Sequence, residues 1–97
     1  MNILIIGGTG YMGRITVRLL LDRGDDVTVF SRGTSRPEWW DRVEHIQGDR
    51  EDREDFEAKL KGKPFDVVID SQAYKKEDVE SAAAAFRGNI GRYLMVS

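Results

Sequence analysis

Asn2-Ile3-Leu4-Ile5-Ile6-Gly7-Gly8-Thr9-Gly10-Tyr11-Met12-Gly13 places a short apolar run directly before a cluster of glycines. The unbroken apolar run suits a strand covered on both faces. A helical pattern follows over residues 12–23. Ile15, Leu19 and Asp22 fall on one line of it, and Met12, Thr16 and Leu20 on another, with Gly24 where a left-handed C-terminal cap belongs. Between strand and helix the chain must turn sharply, at angles that only glycine adopts cheaply. Gly8, Gly10 and Gly13 satisfy G-x-G-x-x-G, while Gly7, Gly10 and Gly13 satisfy G-x-x-G-x-x-G. Such a pattern alone is weak evidence. Between a buried strand and an amphipathic helix it is the fingerprint of a dinucleotide site. Without side chains a pyrophosphate can approach the backbone closely, and the helix start offers it free N–H groups and partial positive charge. The plainer reading, a tight turn and nothing more, leaves this context unexplained.

Working outward, short apolar runs alternate with helical segments. Strands are expected at Val27–Phe30, Val43–Gln47, Phe65–Asp70 and Tyr93–Val96, and helices at Asp52–Lys61 and Lys76–Arg87. Phe56 and Leu60 give the second helix its apolar line, and Gly62 and Pro64 end it. Val79, Ala82, Ala83 and Phe86 keep the spacing of one buried face on the third, with Gly88 as its cap. Ser31–Arg42 is rich in turn formers. Right-handed crossovers then predict an α/β, doubly wound parallel sheet, the Rossmann arrangement, with five strands in the order 3-2-1-4-5 and helices on both faces.

The second strand ends in Phe30-Ser31-Arg32. The NAD form of this arrangement carries an acid about 20 residues past the glycines, where it binds the ribose 2′-hydroxyl. Here Ser31 and Arg32 stand instead, with Arg36 nearby. A guanidinium beside a hydroxyl suits a 2′-phosphate, so NADP is the expected cofactor and NAD the alternative. The plainer reading of Arg32 is a solvated loop charge. Arg14, in the first turn of the helix, could assist or simply be exposed.

Composition bounds the rest. The chain has 97 residues, enough for one domain over 1–97; 40% are apolar and 33% charged, the net charge is -2, and there is no cysteine. That balance points to neither nucleic acid nor a membrane as partner, and no zinc-thiolate site, disulfide or cysteine nucleophile is available. The first residues carry no basic leader, and their apolar run is too short for a signal peptide or a membrane span. A cytoplasmic location is expected. Trp39 and Trp40 read as packing over the sheet edge and His45 as a structural histidine, since nothing with metal-ligand spacing surrounds it.

Together, Gly7–Gly13, Ser31-Arg32, Gly48-Asp49-Arg50 and Phe65-Asp66-Val67-Val68-Ile69-Asp70 resemble the extended short-chain dehydrogenase/reductases, also called the NAD-dependent epimerase/dehydratase family. The resemblance covers essentially the whole chain, and the glycine motif with an aromatic at Tyr11 is its most specific part. It implies that the backbone of Gly7 and Thr9–Gly13, including Gly10, Tyr11 and Met12, holds the pyrophosphate. It implies that Asp49 accepts a hydrogen bond from the adenine amino group, with Arg50 alongside. From the residues alone Asp49 reads equally as a turn or helix-cap residue. Ala73 matches a small residue lining the ribose and nicotinamide side. Asp70-Ser71-Gln72-Ala73 departs from the His-Leu-Ala-Ala type of segment many members carry, which marks an atypical branch.

The family's Tyr-x-x-x-Lys pair is absent from these residues, since Ile15, Asp78 and Ser97 follow Tyr11, Tyr74 and Tyr93 by four. No catalytic residue and no metal ligand is assigned. The chain is expected to be truncated before the catalytic and substrate-binding regions, a small-molecule substrate then needing the missing part. Ending on an apolar strand at a sheet edge supports that expectation, self-association through this fifth strand being the alternative. A non-catalytic NADP-sensing protein is the competing function. A nucleic-acid-binding relative is a third reading, weakened by the net charge.

Overall fold

A computed structural model describes residues 1–7, 10–71, 76–86, 88 and 90–95, with Tyr11 and Met12 by backbone alone. Five parallel strands form one sheet in the order β3-β2-β1-β4-β5. They are β1 (Asn2–Ile6), β2 (Asp26–Ser31), β3 (Glu44–Gln47), β4 (Phe65–Asp70) and β5 (Ile90–Met95). The helices are α1 (Tyr11–Asp22), α2 (Arg53–Leu60) and α3 (Lys76–Phe86), with a short 3-10 turn at Trp40–Arg42. This is the doubly wound α/β arrangement that the sequence predicts.

The central strand shows why its run is apolar throughout. Ile3 and Ile5 belong to the core layer shared with Val17 of α1, Val27, Val29 and Trp39. Leu4 and Ile6 belong to the opposite layer, with Phe30, Phe56, Leu60, Phe86 and Val68. Alternate side chains point to opposite faces of a strand, so a strand covered twice needs apolar residues at every position. Phe56 packs edge-on to both Phe30 and Phe86, at centroid separations of 5.2 and 6.3 Å. Burial of a side chain of this size stabilises the fold by roughly 1.5–3 kcal/mol.

Of the two lines read on α1, the one through Leu20 is packed, together with Val17 and Leu21, while Ile15 and Leu19 are exposed. On α3, Val79 and Ala83 face outward, while Asp78, Ser81, Ala82, Ala85 and Phe86 are buried. An apolar periodicity misses this face because two of its buried positions are polar and have partners in α2. Arg53 pairs with Asp78 at 3.0 Å, and Ser81 Oγ donates to Glu57 at 3.3 Å. The fifth strand starts three residues before the expected Tyr93, because Ile90 already pairs with Phe65 across β4. The expected strand residue Val96 lies outside the described residues.

Candidate functional site

The carboxyl ends of β1, β2 and β4 meet where the strand order reverses, since the chain leaves β1 toward β2 on one side and later returns to β4 on the other. In open α/β sheets this crevice is where ligands bind. Gly7 leaves β1 at φ 98° and donates its N–H to Phe30 O at 2.9 Å. A left-handed residue is needed to release the chain from the strand, which accounts for this glycine. On the other flank, Ser71 Oγ donates to Ile6 O at 2.8 Å and closes the end of β4 onto β1.

Gly10 requires a different explanation. It precedes α1 at φ -77°, ψ 175°, a conformation any residue takes, and beyond its chain neighbours a Cβ there would meet none of the described residues within 4 Å. Among the described residues, neither backbone strain nor packing calls for glycine here. The helix behind it has no side-chain cap and no acidic residue in its first turn. Among the described residues, no side chain therefore caps its first N–H groups and no acid in its first turn offsets the partial positive charge there. Gly13 lies in the same first turn, partly buried. Tyr11 and Met12 contribute backbone there, whereas Thr9 and Ala73 lie outside the described residues.

The loop after β2 is stitched to that helix start. Arg14 pairs with Glu38 at 2.9 Å, and buried Trp39 donates Nε1–H to Arg14 O at 3.0 Å. Ser31 is buried at the end of β2. Its Oγ lies 2.9 Å from His45 Nε2 and accepts the Gly33 N–H at 3.3 Å. Arg32 is exposed, and among the described residues its guanidinium has no ion-pair partner. Trp40 stacks on His45 at 4.2 Å between centroids, and the Arg36 guanidinium sits 5.5 Å over Trp40. The two tryptophans and His45 therefore pack and position, as read from the sequence.

Burial, and then the Arg36 charge, hold the His45 imidazole below its ordinary range, with the Ser31 backbone pulling the other way. The folded chain therefore binds fewer protons than the unfolded chain once pH falls below about 6.5, the ordinary histidine value. Stability is full above that pH and declines toward the lower folded value. On going from about pH 7 to about pH 5.5, His45→Gln is expected to lose less thermal stability than the unmutated chain. Equal losses in parallel melts would exclude this contribution.

Asp49 is exposed, and its Oδ1 accepts the Glu51 N–H at 2.8 Å. It makes a turn rather than a cap; Asp52 caps α2 by accepting from Asp55 N at 3.2 Å. Arg50 is put to a use the sequence does not reveal. Expected beside the adenine, its side chain instead turns inward and is only 5% exposed. Its Nη1 lies 2.7 Å from Asp70 Oδ2, off the N–H axis, so the contact is an ion pair more than a directed hydrogen bond. Nη2 donates to Asp78 O at 2.7 Å, and the guanidinium lies 4.5 Å over Phe56. Asp70, fully buried, also accepts from the Tyr93 hydroxyl. Burial first, and then the Asp70 carboxylate, push that phenol well above its ordinary range, so Tyr93 keeps its proton at neutral pH. The sequence hints at this cluster only through an acid closing the apolar run of β4.

Among the described residues, no helix is long and apolar enough to cross a membrane, and no three acidic, histidine or cysteine residues gather as a metal site.

A model of the NAD dependent epimerase/dehydratase family matches residues 3–95. The chain is 33% identical to the chloroplast stem-loop binding protein of 41 kDa b of Arabidopsis thaliana, over 81% of this chain and 24% of that protein. It is 36% identical to UDP-glucose 4-epimerase 3 of Oryza sativa subsp. japonica, over 70% of this chain and 22% of that protein. The structure of UDP-glucose 4-epimerase from Brucella ovis, in complex with NAD, matches with a TM-score of 0.59 at 27% identity. That match covers 89% of this chain and 27% of the other. The chain thus spans about a quarter of the length of these relatives.

Proposed function

The chain belongs to the NAD dependent epimerase/dehydratase family, and from that premise we propose that it is the NADP-binding part of an epimerase, dehydratase or reductase. The observation that carries the reading is Gly10. It is a glycine that neither its backbone angles nor any described contact requires, placed before an uncapped helix at the crevice where the strand order reverses. The backbone at Gly7, Gly10 and Gly13 would hold the pyrophosphate, Asp49 the adenine, and Ser31 with Arg32 the 2′-phosphate. When bound, the nicotinamide supplies hydride transfer; the role of this chain is to bind the cofactor and fix its orientation. A net charge of -2 supports a dinucleotide over a nucleic acid as its partner. The lack of cysteine suits a reducing, cytoplasmic setting.

NADP over NAD rests on Arg32, an exposed guanidinium at the end of β2 where an acid would select NAD. One charge-assisted contact is worth about 1.5–3 kcal/mol, or about ten- to hundredfold in affinity. Calorimetric titration with NADPH and NADH should show that preference. Equal affinities would overturn the NADP assignment, and no binding of either to a folded chain would overturn the proposed site. Arg32→Asp is expected to move the NADPH/NADH ratio toward NADH by at least about tenfold. An unmoved ratio would make Arg32 a bystander.

A further inference from the structure

Three contacts from the end of β3 hold the turn that carries Arg32. Gly48 N–H donates to Ser31 O at 2.9 Å, Gln47 Nε2 donates to Arg32 O at 3.0 Å, and His45 Nε2 meets Ser31 Oγ at 2.9 Å. The first two have a fixed direction. The third does not, because a hydroxyl and an imidazole nitrogen can exchange donor and acceptor roles. Ser31 Oγ already accepts the Gly33 N–H. When Nε2 is bare, the Ser31 hydroxyl hydrogen is engaged by the ring. When His45 is protonated, Nε2–H donates to Oγ, and the hydroxyl hydrogen is released to another acceptor.

We propose that His45 is a specificity-determining residue for a phosphate monoester at the adenosine 2′ position, acting through Ser31 and taking up a proton from solvent when that phosphate binds. The inference rests on the NADP reading and deepens it. A phosphate dianion at Ser31 calls for positive charge and for hydrogen-bond donors. Protonated His45 supplies the charge and, by reversing its bond to Ser31, frees one donor. A 2′-hydroxyl is neutral and both donates and accepts, so it draws no proton onto the ring. Affinity for the 2′-phosphorylated cofactor therefore strengthens as pH falls through the histidine range, relative to affinity for the unphosphorylated one.

The surroundings of the ring fit this role. Ser31 comes from β2, Gln47 from β3, and Trp40 and Arg36 from the connection between them. Arg36 is the charge that bears on His45, and together with burial it keeps the free imidazole neutral. Of the two acids on the same connection, Glu38 is paired with Arg14 and Asp41 is exposed in the 3-10 turn. A bound phosphate would offset the Arg36 repulsion and reverse the balance on His45.

His45 is the single histidine of the chain, so its ring can be followed by NMR without assignment ambiguity. The ring would be titrated in the free chain, with adenosine 2′,5′-bisphosphate and with 5′-AMP. The bisphosphate is expected to raise the titration midpoint by about one pH unit or more, and 5′-AMP to leave it within about a few tenths. A bisphosphate that binds at least about tenfold tighter than 5′-AMP, yet leaves the midpoint where it was, would overturn the role of His45 and spare the NADP reading. Equal binding of the two nucleotides would overturn both. In His45→Gln, the ratio of bisphosphate to AMP affinity should no longer rise as pH falls from about 8 to about 6, unlike in the unmutated chain. The same rise in both would also refute the assignment.

Discussion

Replacing Gly10 by Val is expected to abolish dinucleotide binding while leaving the sheet folded. The two halves of that expectation come from separate observations. The backbone at Gly10 is extended and, beyond its chain neighbours, a Cβ meets none of the described residues within 4 Å, so a side chain there is expected to leave the fold intact. Its branched methyl groups would instead occupy the space above the start of α1, where a pyrophosphate must reach the helix N–H groups. Displacing two charge-assisted hydrogen bonds at about 1.5–3 kcal/mol each costs more than about a hundredfold in affinity. Calorimetry with NADPH measures the loss, and circular dichroism with a melting curve confirms the fold. A folded valine variant that binds as tightly as the unmutated chain would refute the pyrophosphate assignment.

Asp70→Asn is expected to destabilise the chain by about 3–5 kcal/mol, because it leaves the Arg50 guanidinium buried without its counter-charge. Both groups are almost wholly removed from water, at 0% and 5% exposure, and Phe56 and Tyr93 close the space around them. A stability change of that size is a large fraction of what a small domain possesses. Arg50→Met should also destabilise the chain, by removing the counter-charge of the buried carboxylate. The double variant should cost clearly less than the sum of the two, since a neutral pair strands neither charge. Urea denaturation of the four proteins measures each value. An Asp70→Asn variant within about 1 kcal/mol of the unmutated chain would mean that water or another partner satisfies Arg50.

These two positions differ in how they could be read from sequence. The role proposed for Gly10 follows from local facts: a glycine at a fixed offset between a strand and a helix. The partner of Arg50 follows from none. Asp70 lies on another strand and Asp78 on another helix, and only the packing of α2 and α3 against one face of the sheet brings them within reach. Chain order places Arg50 beside Asp49, which suggests the adenine loop. Its side chain nevertheless turns into the core, where a guanidinium can lie against Phe56 and meet a carboxylate.

The same division runs through the whole molecule. The sequence by itself determined the β-α-β order, the strand order 3-2-1-4-5, the glycine turn and the basic end of β2. Each of these follows from short-range rules: apolar runs for doubly covered strands, glycine where the chain must turn sharply from strand to helix, and right-handed crossovers between parallel strands. Tertiary structure alone decided which face of α3 is buried, where β5 begins, where the Arg50 side chain goes, and that His45 meets Ser31. Those outcomes depend on which polar groups find partners across elements distant in sequence. A buried polar residue with a partner satisfies the core as well as an apolar one, and no periodicity records the difference.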